Sequence, residues 1–261
     1  MTPVMIIISA WLLFGGSHLL LSGSPLRAKL SARLGPRGFT RLFTGFTIIT
    51  MTGLITAVAI YGDKGLPGLG LRNYSAILWA CRSIAMLGTV LMVAGLINYP
   101  RSPMAFLAQR QRGDVHKDVI QLAPPTAIER LVRHPFFTGL LMVMFAHTVL
   151  ANTLAMMAYF AGFAILAMVG IPLQDRKLRR RWEAVYAAFE SKTSNIPASA
   201  LQYKGSAPEW GRWLTAVLVA LIVFGLGHPV WVYANGATFA LCVMVFGAAA
   251  VFKGMALSAK V

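Results

Sequence analysis

Acidic residues are scarce in this chain: eight Asp and Glu stand against 24 Lys and Arg, and only 12% of the 261 residues are charged. A water-soluble domain of this length covers its surface with many more charges, so a soluble globular protein is excluded. The remaining sequence consists largely of long apolar runs, which predict helices that cross a lipid bilayer. Because helices packed in lipid need no large central core, we expect residues 1–261 to form one membrane domain.

Cysteine is nearly absent as well, since Cys81 and Cys242 are the only two and both fall inside apolar runs. Such a chain lacks the ligands for a disulfide framework, a zinc site or an iron–sulfur cluster. Nucleic-acid binding is not indicated by the basic excess, because the basic residues flank hydrophobic runs and form no recognition module. No Lys or Arg precedes the first apolar run, so we expect a retained helix and not a cleaved signal peptide. No transit-peptide pattern precedes it either, which favours a bacterial inner membrane.

Seven apolar stretches approach the ~20 residues needed to cross a bilayer. They cover residues 3–22, 43–61, 76–98, 136–151, 154–173, 213–229 and 235–252. Ala151, Asn152 and Thr153 separate the fourth stretch from the fifth, and we interpret them as the turn of a helical hairpin. In residues 175–190, apolar side chains recur every three or four positions among basic ones, which predicts a cytoplasmic amphipathic helix on anionic headgroups. The expected fold class is an all-α membrane protein with seven transmembrane helices and this additional helix.

Basic residues are distributed very unevenly between the two sides of these spans. The segments 23–42, 99–135 and 174–212 and the C-terminal tail hold 21 of the 24 Lys and Arg. Only Lys64 and Arg72 lie on the opposite side. Because basic loops stay in the cytoplasm, this asymmetry predicts an external N-terminus and a cytoplasmic C-terminus, which requires an odd number of spans.

Histidines stand inside three of the predicted spans, where ionisable groups are costly and often functional. Taken one at a time, His18, His147 and His228 are most simply hydrogen-bonded packing residues. Three such imidazoles in one chain favour axial ligation of a haem iron. By residue counting, His147 and His228 lie at similar depths, whereas His18 reaches that depth only in a kinked or tilted helix. Gly15 and Gly16 make a kink feasible, so depth leaves the ligand pair open.

Two arginines near the ends of predicted spans have both a simple and a functional interpretation. Arg82 lies inside the third span near its outer end, where it either snorkels to the headgroups or pairs with an anion such as a haem propionate. Arg133, His134 and Pro135 stand at the start of the fourth span, where free backbone N–H groups attract anions. His134 there either caps the helix or binds a headgroup.

Several stretches of the sequence resemble the NnrU family of bacterial membrane proteins. They are FGGSHLLLSGSPLRAKLSARLGPRGFTRLF, RHPFFTGLLMVMFAHTVLAN, DRKLRRRWEAVYAAFESKTSNIPASAL and, more weakly, GHPVWVYANG. The likeness covers most of residues 1–235 and points to the branch of the family that includes the plant zeta-carotene isomerase.

This resemblance implies a haem b protein whose axial histidines correspond to His18 and His147. In the plant enzyme a cysteine three residues before the second histidine is an alternative ligand. This sequence has Met144 there, and Met also ligates haem iron in some proteins. The implied reaction is a redox-gated cis–trans isomerisation of a polyene, with a hydrophobic substrate such as a carotenoid and with a redox partner. Bacterial relatives are associated with nitrate and nitrite respiration, which implies a role in denitrification as the other expectation.

A second resemblance gives an alternative from another enzyme class. The RHP sequence at a helix start, an acid after the next span and an amphipathic helix ending in Ile-Pro are similar to membrane methyltransferases of the isoprenylcysteine type. The residues of the implied cytoplasmic S-adenosylmethionine pocket are Arg133, His134, Asp175 and Tyr186. That interpretation gives the histidines within the spans no role. A non-catalytic assembly factor for a respiratory complex is a third hypothesis, which no motif indicates.

Overall fold

The structure of the chain, a computed structural model, describes residues 2–23, 25–98, 125–200 and 210–222. The helices in these ranges are α1 (Pro3–Trp11), α2 (Ser17–Gly23), α3 (Pro25–Tyr61), α4 (Ser75–Asn98), α5 (Ala127–Leu131), α6 (Pro135–Leu150), α7 (Leu154–Glu190) and α8 (Trp210–Ile222). A π-helix, Leu12–Gly16, joins α1 to α2, and a short 3-10 turn, Leu71–Asn73, precedes α4. The prediction of an all-α fold is confirmed for this part of the chain.

Among the described residues, four helices are long and apolar enough to cross a membrane. They are Pro3–Ser22, Arg37–Tyr61, Ser75–Ile97 and Leu154–Arg180, and they coincide with the predicted spans 3–22, 43–61, 76–98 and 154–173. The predicted span 136–151 is helix α6, whose 16 residues fall short of the ~20 that cross a bilayer. The span 213–229 begins in α8, and its remainder lies outside the described residues together with span 235–252. The chain therefore has the helices of a membrane protein, and the count of seven stays a prediction.

The chain divides into two compact units. Among the described residues, unit 1 contains residues 2–81 and 145–166, and unit 2 contains residues 82–98, 125–144, 167–200 and 210–222. The expectation of one membrane domain over residues 1–261 is untested by this division.

The core of unit 1 joins α1 and its π-helix to the end of α3 and the start of α7. Its buried side chains are Ile7, Trp11, Phe14, Leu54, Ala57, Val58, Ala155 and Tyr159. The Trp11 indole N–H donates a hydrogen bond to the Tyr159 carbonyl oxygen at 3.0 Å. A Cβ on Gly162 would overlap this indole, so only glycine lets α7 lie this close to Trp11. The turn between α6 and α7 consists of residues 151–153, as the sequence predicts.

In unit 2, small residues bring α4 and α6 into close contact. A Cβ on Gly88 would lie 2.7 Å from the carbonyl oxygen of Gly139, and a Cβ on Gly95 would lie 2.8 Å from the backbone nitrogen of Phe136. Both distances are shorter than carbon side chains tolerate, so the two backbones approach each other only because these positions lack side chains. Such small-residue contacts are typical of helices that pack in lipid, where van der Waals contact replaces the hydrophobic effect.

Helix α7 continues past its apolar part through residues 175–190. These residues are helical as the end of α7, with one non-helical residue, Glu183, at φ 34° and ψ −112°, and the additional amphipathic helix predicted there stays a prediction. The buried side chains of this stretch are Asp175, Leu178, Tyr186 and Phe189, and the exposed ones include Arg176, Arg179 and Arg180. Its predicted contact with anionic headgroups stays a prediction.

Candidate functional site

His18 lies directly after a distortion in the first span. The π-helix Leu12–Gly16 precedes it, and the wider turn arises because π-helical hydrogen bonds join residues five apart. Crowding at Gly15 accompanies the distortion, since a Cβ there would lie 3.1 Å from the Trp11 ring. The π-helical turn includes Gly15 and Gly16, the two residues at which the sequence makes a kink feasible. Single π-helical turns within α-helices occur frequently at functional sites.

The imidazole of His18 lies between two phenylalanine rings in unit 1. Its ring centroid is 5.8 Å from that of Phe14 and 5.3 Å from that of Phe43. Its Nδ1 atom is buried and has no hydrogen-bond partner within the described part of the chain. A buried polar atom left unpaired costs about 1–3 kcal/mol. A ligand that binds the imidazole would offset this cost, so His18 fits a ligand-binding role.

Aromatic rings connect His18 to His147 through the core of unit 1. The successive ring contacts are Phe14 with Phe163 at 6.3 Å, Phe163 with Tyr159 at 5.3 Å, Tyr159 with Phe160 at 5.2 Å, and Phe160 with the His147 imidazole at 5.0 Å. The two histidines thus lie at the two ends of a series of aromatic side chains within unit 1. Among the described residues, no three His, Cys, Asp or Glu side chains form a metal-binding group, so a metal centre of that kind is not formed there.

The other residues predicted near a haem are placed differently. Arg82 on α4 and Met144 on α6 belong to unit 2, where Met144 is buried and Arg82 is half-buried. His228 lies outside the described residues. Of the predicted ligands among the described residues, His18 and His147 belong to unit 1 and Met144 belongs to unit 2.

A second polar cluster occupies unit 2 and contains all four residues of the alternative pocket. Asp175 on α7 is at its centre, with a side chain only 8% exposed. One carboxylate oxygen lies 2.6 Å from Nε2 of His134 and accepts the Tyr186 hydroxyl at 2.5 Å. The other accepts Arg133 Nη1 at 2.9 Å and Asn195 Nδ2 at 2.7 Å. Donors from the chain itself therefore fill the acceptor positions of this carboxylate.

Arg133 extends this cluster to the end of α7 and the segment after it. Its guanidinium contacts Glu190 Oε1 at 3.0 Å, Thr193 Oγ1 at 3.0 Å and the Thr193 carbonyl at 2.9 Å. Its backbone N–H donates to the carbonyl of Ser194 at 2.7 Å. The side chain of Arg133 is only 11% exposed, so these bonds replace water around a buried cation. The cluster fixes the start of α6 to both ends of the stretch 175–195.

The phenol of Tyr186 donates a hydrogen bond to Asp175 in this cluster. Burial and the hydrogen bond to Asp175 raise its pKa above the ordinary range. Sequence reasoning found Asp175 and Tyr186 but missed Glu190, Thr193 and Asn195. Their signal in the sequence is weak, namely polar residues directly after a helix, a pattern that solvated loops show equally often.

Comparison with known proteins places the chain in one family. No curated protein and no solved structure shows significant similarity to it. The family model described as NnrU protein matches residues 6–236, a range that includes His18, His147 and the whole Asp175 cluster. Because this match covers most of the 261 residues, the chain belongs to the NnrU family.

Proposed function

We propose that this NnrU-family protein binds haem b within the membrane, with His18 and His147 as axial ligands. The observation that carries the proposal is the buried Nδ1 of His18 beside a π-helix, which has no hydrogen-bond partner among the described residues. Bound haem would supply an iron centre that changes its oxidation state and its number of ligands. The two histidines would hold it, and the aromatic side chains of unit 1 would exclude water. Arg82 is proposed as a partner for a propionate, and Met144 and His228 as alternative ligands.

The proposed activity is a redox-gated cis–trans isomerisation of a lipid-soluble polyene such as a carotenoid, or a related role in denitrification. Family membership and the apolar setting of the two histidines support it. A polyene offers no polar groups to recognise, so apolar contacts and the exclusion of water are what such a site has to provide. The substrate would enter from the bilayer, and a redox partner would supply the electron.

An absorption spectrum of the purified full chain tests the cofactor. We expect a Soret band in the oxidised protein and sharp low-spin bands after reduction with dithionite, because two axial histidines give a six-coordinate iron. Protein purified from haem-supplemented cells without any haem absorption would refute the proposal.

The alternative is an S-adenosylmethionine-dependent methyltransferase of the isoprenylcysteine type. Its four candidate residues do converge, which favours a common role for them. The carboxylate of Asp175 already has a partner at each of its acceptor positions, so it has none left for a ligand. This favours a structural role for the four residues. Calorimetry with S-adenosylmethionine decides between the two, and measurable binding would support the methyltransferase. A non-catalytic assembly factor is the third candidate, favoured if neither ligand binds.

The proposed topology is seven spans in a bacterial inner membrane, with the N-terminus outside and the C-terminus in the cytoplasm. It rests on the concentration of 21 of the 24 Lys and Arg in alternating segments. A reporter that works only in the cytoplasm should be active when it is fused after Val261. A reporter that works only outside the cytoplasm should be active when it is inserted near Gly68. A periplasmic reporter signal after Val261 would eliminate the odd number of spans.

A further inference from the structure

The connection between the first two candidate spans is helical. Helix α3 consists of two parts separated at Gly35, whose φ of 68° and ψ of 166° belong to a region that only glycine adopts readily. The first part, residues 25–34, is here named the linker helix. It falls in the segment 23–42 that sequence reasoning treated as a basic loop, because its three leucines are too few to register as an apolar run.

The linker helix is connected to a candidate membrane span at each of its ends. The candidate span Pro3–Ser22 ends just before it, and the candidate span Arg37–Tyr61 begins just after it. These spans run antiparallel, because Ile7 packs in one cluster with Leu54 while His18 contacts Phe43. At 1.5 Å per residue the linker helix is about 15 Å long, half the ~30 Å thickness of the hydrocarbon core. It therefore joins two spans at the same face of the bilayer and lies along that face.

The linker helix has one apolar face that is partly exposed, with Leu30 half-buried in its middle. Its leucines, Leu26, Leu30 and Leu34, recur every four residues and so share one side of the helix. Leu26 is 37% exposed and Leu34 is 48% exposed. Ala28 and Ala32, which are exposed too, lie on the opposite side. A helix with this pattern at a membrane surface places its leucines at the boundary between headgroups and acyl chains.

Basic side chains flank the leucine face and have no acidic neighbours in the sequence. Lys29 and Arg33 are exposed, as are Arg37 and Arg41 at the start of the next span. The first acidic residue of the chain is Asp63, beyond the far end of that span. Positive charge at this surface is thus uncompensated by the segment itself, and an anionic leaflet complements it.

We infer that the linker helix is an interfacial anchor that binds anionic phospholipids. Its leucine face inserts at the acyl boundary, and Lys29 and Arg33 contact the lipid phosphates. Arg27 has a different task, because its guanidinium donates to the Ser22 carbonyl at 2.9 Å and lies 5.2 Å from the centroid of the Phe39 ring. It fastens the helix to the two spans, whereas the exposed Lys29 and Arg33 remain available to lipid. This inference does not depend on the haem proposal.

Limited trypsin digestion of the full chain in nanodiscs, which expose both membrane faces, tests this binding without any substitution. Phosphatidylglycerol in place of part of the phosphatidylcholine should slow cleavage after Lys29 and Arg33 on the order of tenfold. Cleavage after Arg72, on the other face, should keep its rate, and high salt should reverse the protection. Equal rates in the two lipid compositions would overturn the inference.

Spin labels on the two faces of the linker helix test how it lies. Leu34→Cys and Ala32→Cys are a matched pair, because both residues are exposed in the protein and only a membrane distinguishes them. In a chain whose two native cysteines are replaced by alanine, the label at 34 should collide mainly with oxygen dissolved in the acyl region. The label at 32 should collide mainly with a water-soluble nickel chelate. Equal nickel accessibility of the two labels would show that the helix stands away from the bilayer and would refute the anchor.

Charge neutralisation tests the lipid specificity with the same labels. The double change Lys29→Gln and Arg33→Gln should abolish the effect of phosphatidylglycerol on the label at 34. The matched control, Lys64→Gln with Arg72→Gln, removes equal charge on the other face and should leave that effect intact. An equal loss in both double variants would contradict a local role for Lys29 and Arg33.

Discussion

His147→Ala is expected to yield a folded, membrane-inserted protein that has lost its haem or holds it in a high-spin state. His147 is the proposed ligand on which family resemblance and residue depth agree, and it is the one histidine in the sequence of α6. Removing the imidazole leaves a cavity that costs about 2–4 kcal/mol, besides any stabilisation by bound haem. The measurement is the spectrum of the reduced protein together with its haem-to-protein ratio.

Two further variants assign the second ligand. His18→Ala should change the spectrum as His147→Ala does, because the buried Nδ1 of His18 has no hydrogen-bond partner among the described residues. His228→Ala should leave a low-spin spectrum. A six-coordinate spectrum that survives the loss of His18 but not that of His228 would show that the ligand pair implied by the plant enzyme does not apply to this chain.

Asp175→Asn is expected to destabilise the protein by about 1–3 kcal/mol, since the buried Arg133 guanidinium loses one of its two carboxylate partners and keeps only Glu190. The neutral amide also presents donors where Tyr186 and Asn195 need an acceptor. The free energy of unfolding in mixed detergent micelles measures this loss.

Arg179→Gln is the matched control for that variant. Arg179 also pairs with an acid, Glu190, at 2.7 Å, but its side chain is 58% exposed. Exposed ion pairs contribute little to stability because solvent screens them, so this variant should unfold almost as the parent does. If Asp175→Asn proves no more harmful than Arg179→Gln, the Asp175 cluster is not a structural tie.

The same Asp175 variant separates the two enzyme hypotheses. With haem at His18 and His147, Asp175→Asn should bind as much haem per folded protein as the parent, because Asp175 belongs to unit 2 and both histidines to unit 1. A methyltransferase would instead lose binding of S-adenosylmethionine. Absence of such binding in the parent protein removes the methyltransferase hypothesis altogether.

The spans were predictable because each depends on a local property, an apolar run long enough to cross a bilayer. Residues 3–22, 43–61, 76–98 and 154–173 were found with bounds close to those of the helices. The linker helix was missed for the same reason. Its sequence is short and interrupted by three basic residues, and only the break at Gly35 shows where one helical piece ends and the next begins.

The sequence by itself determined that the chain is an all-helical membrane protein. It also identified the polar residues that are candidates for function, because a polar or ionisable residue inside an apolar run can be recognised without coordinates. Only the tertiary structure decided their surroundings. Within the described part of the chain, it left Nδ1 of His18 buried without a hydrogen-bond partner, whereas it gave Asp175 four partners from residues 133–195. The physical reason is that the hydrogen-bond partners of a buried polar group come from residues distant in the chain. A single sequence does not show which donors bond to which acceptors.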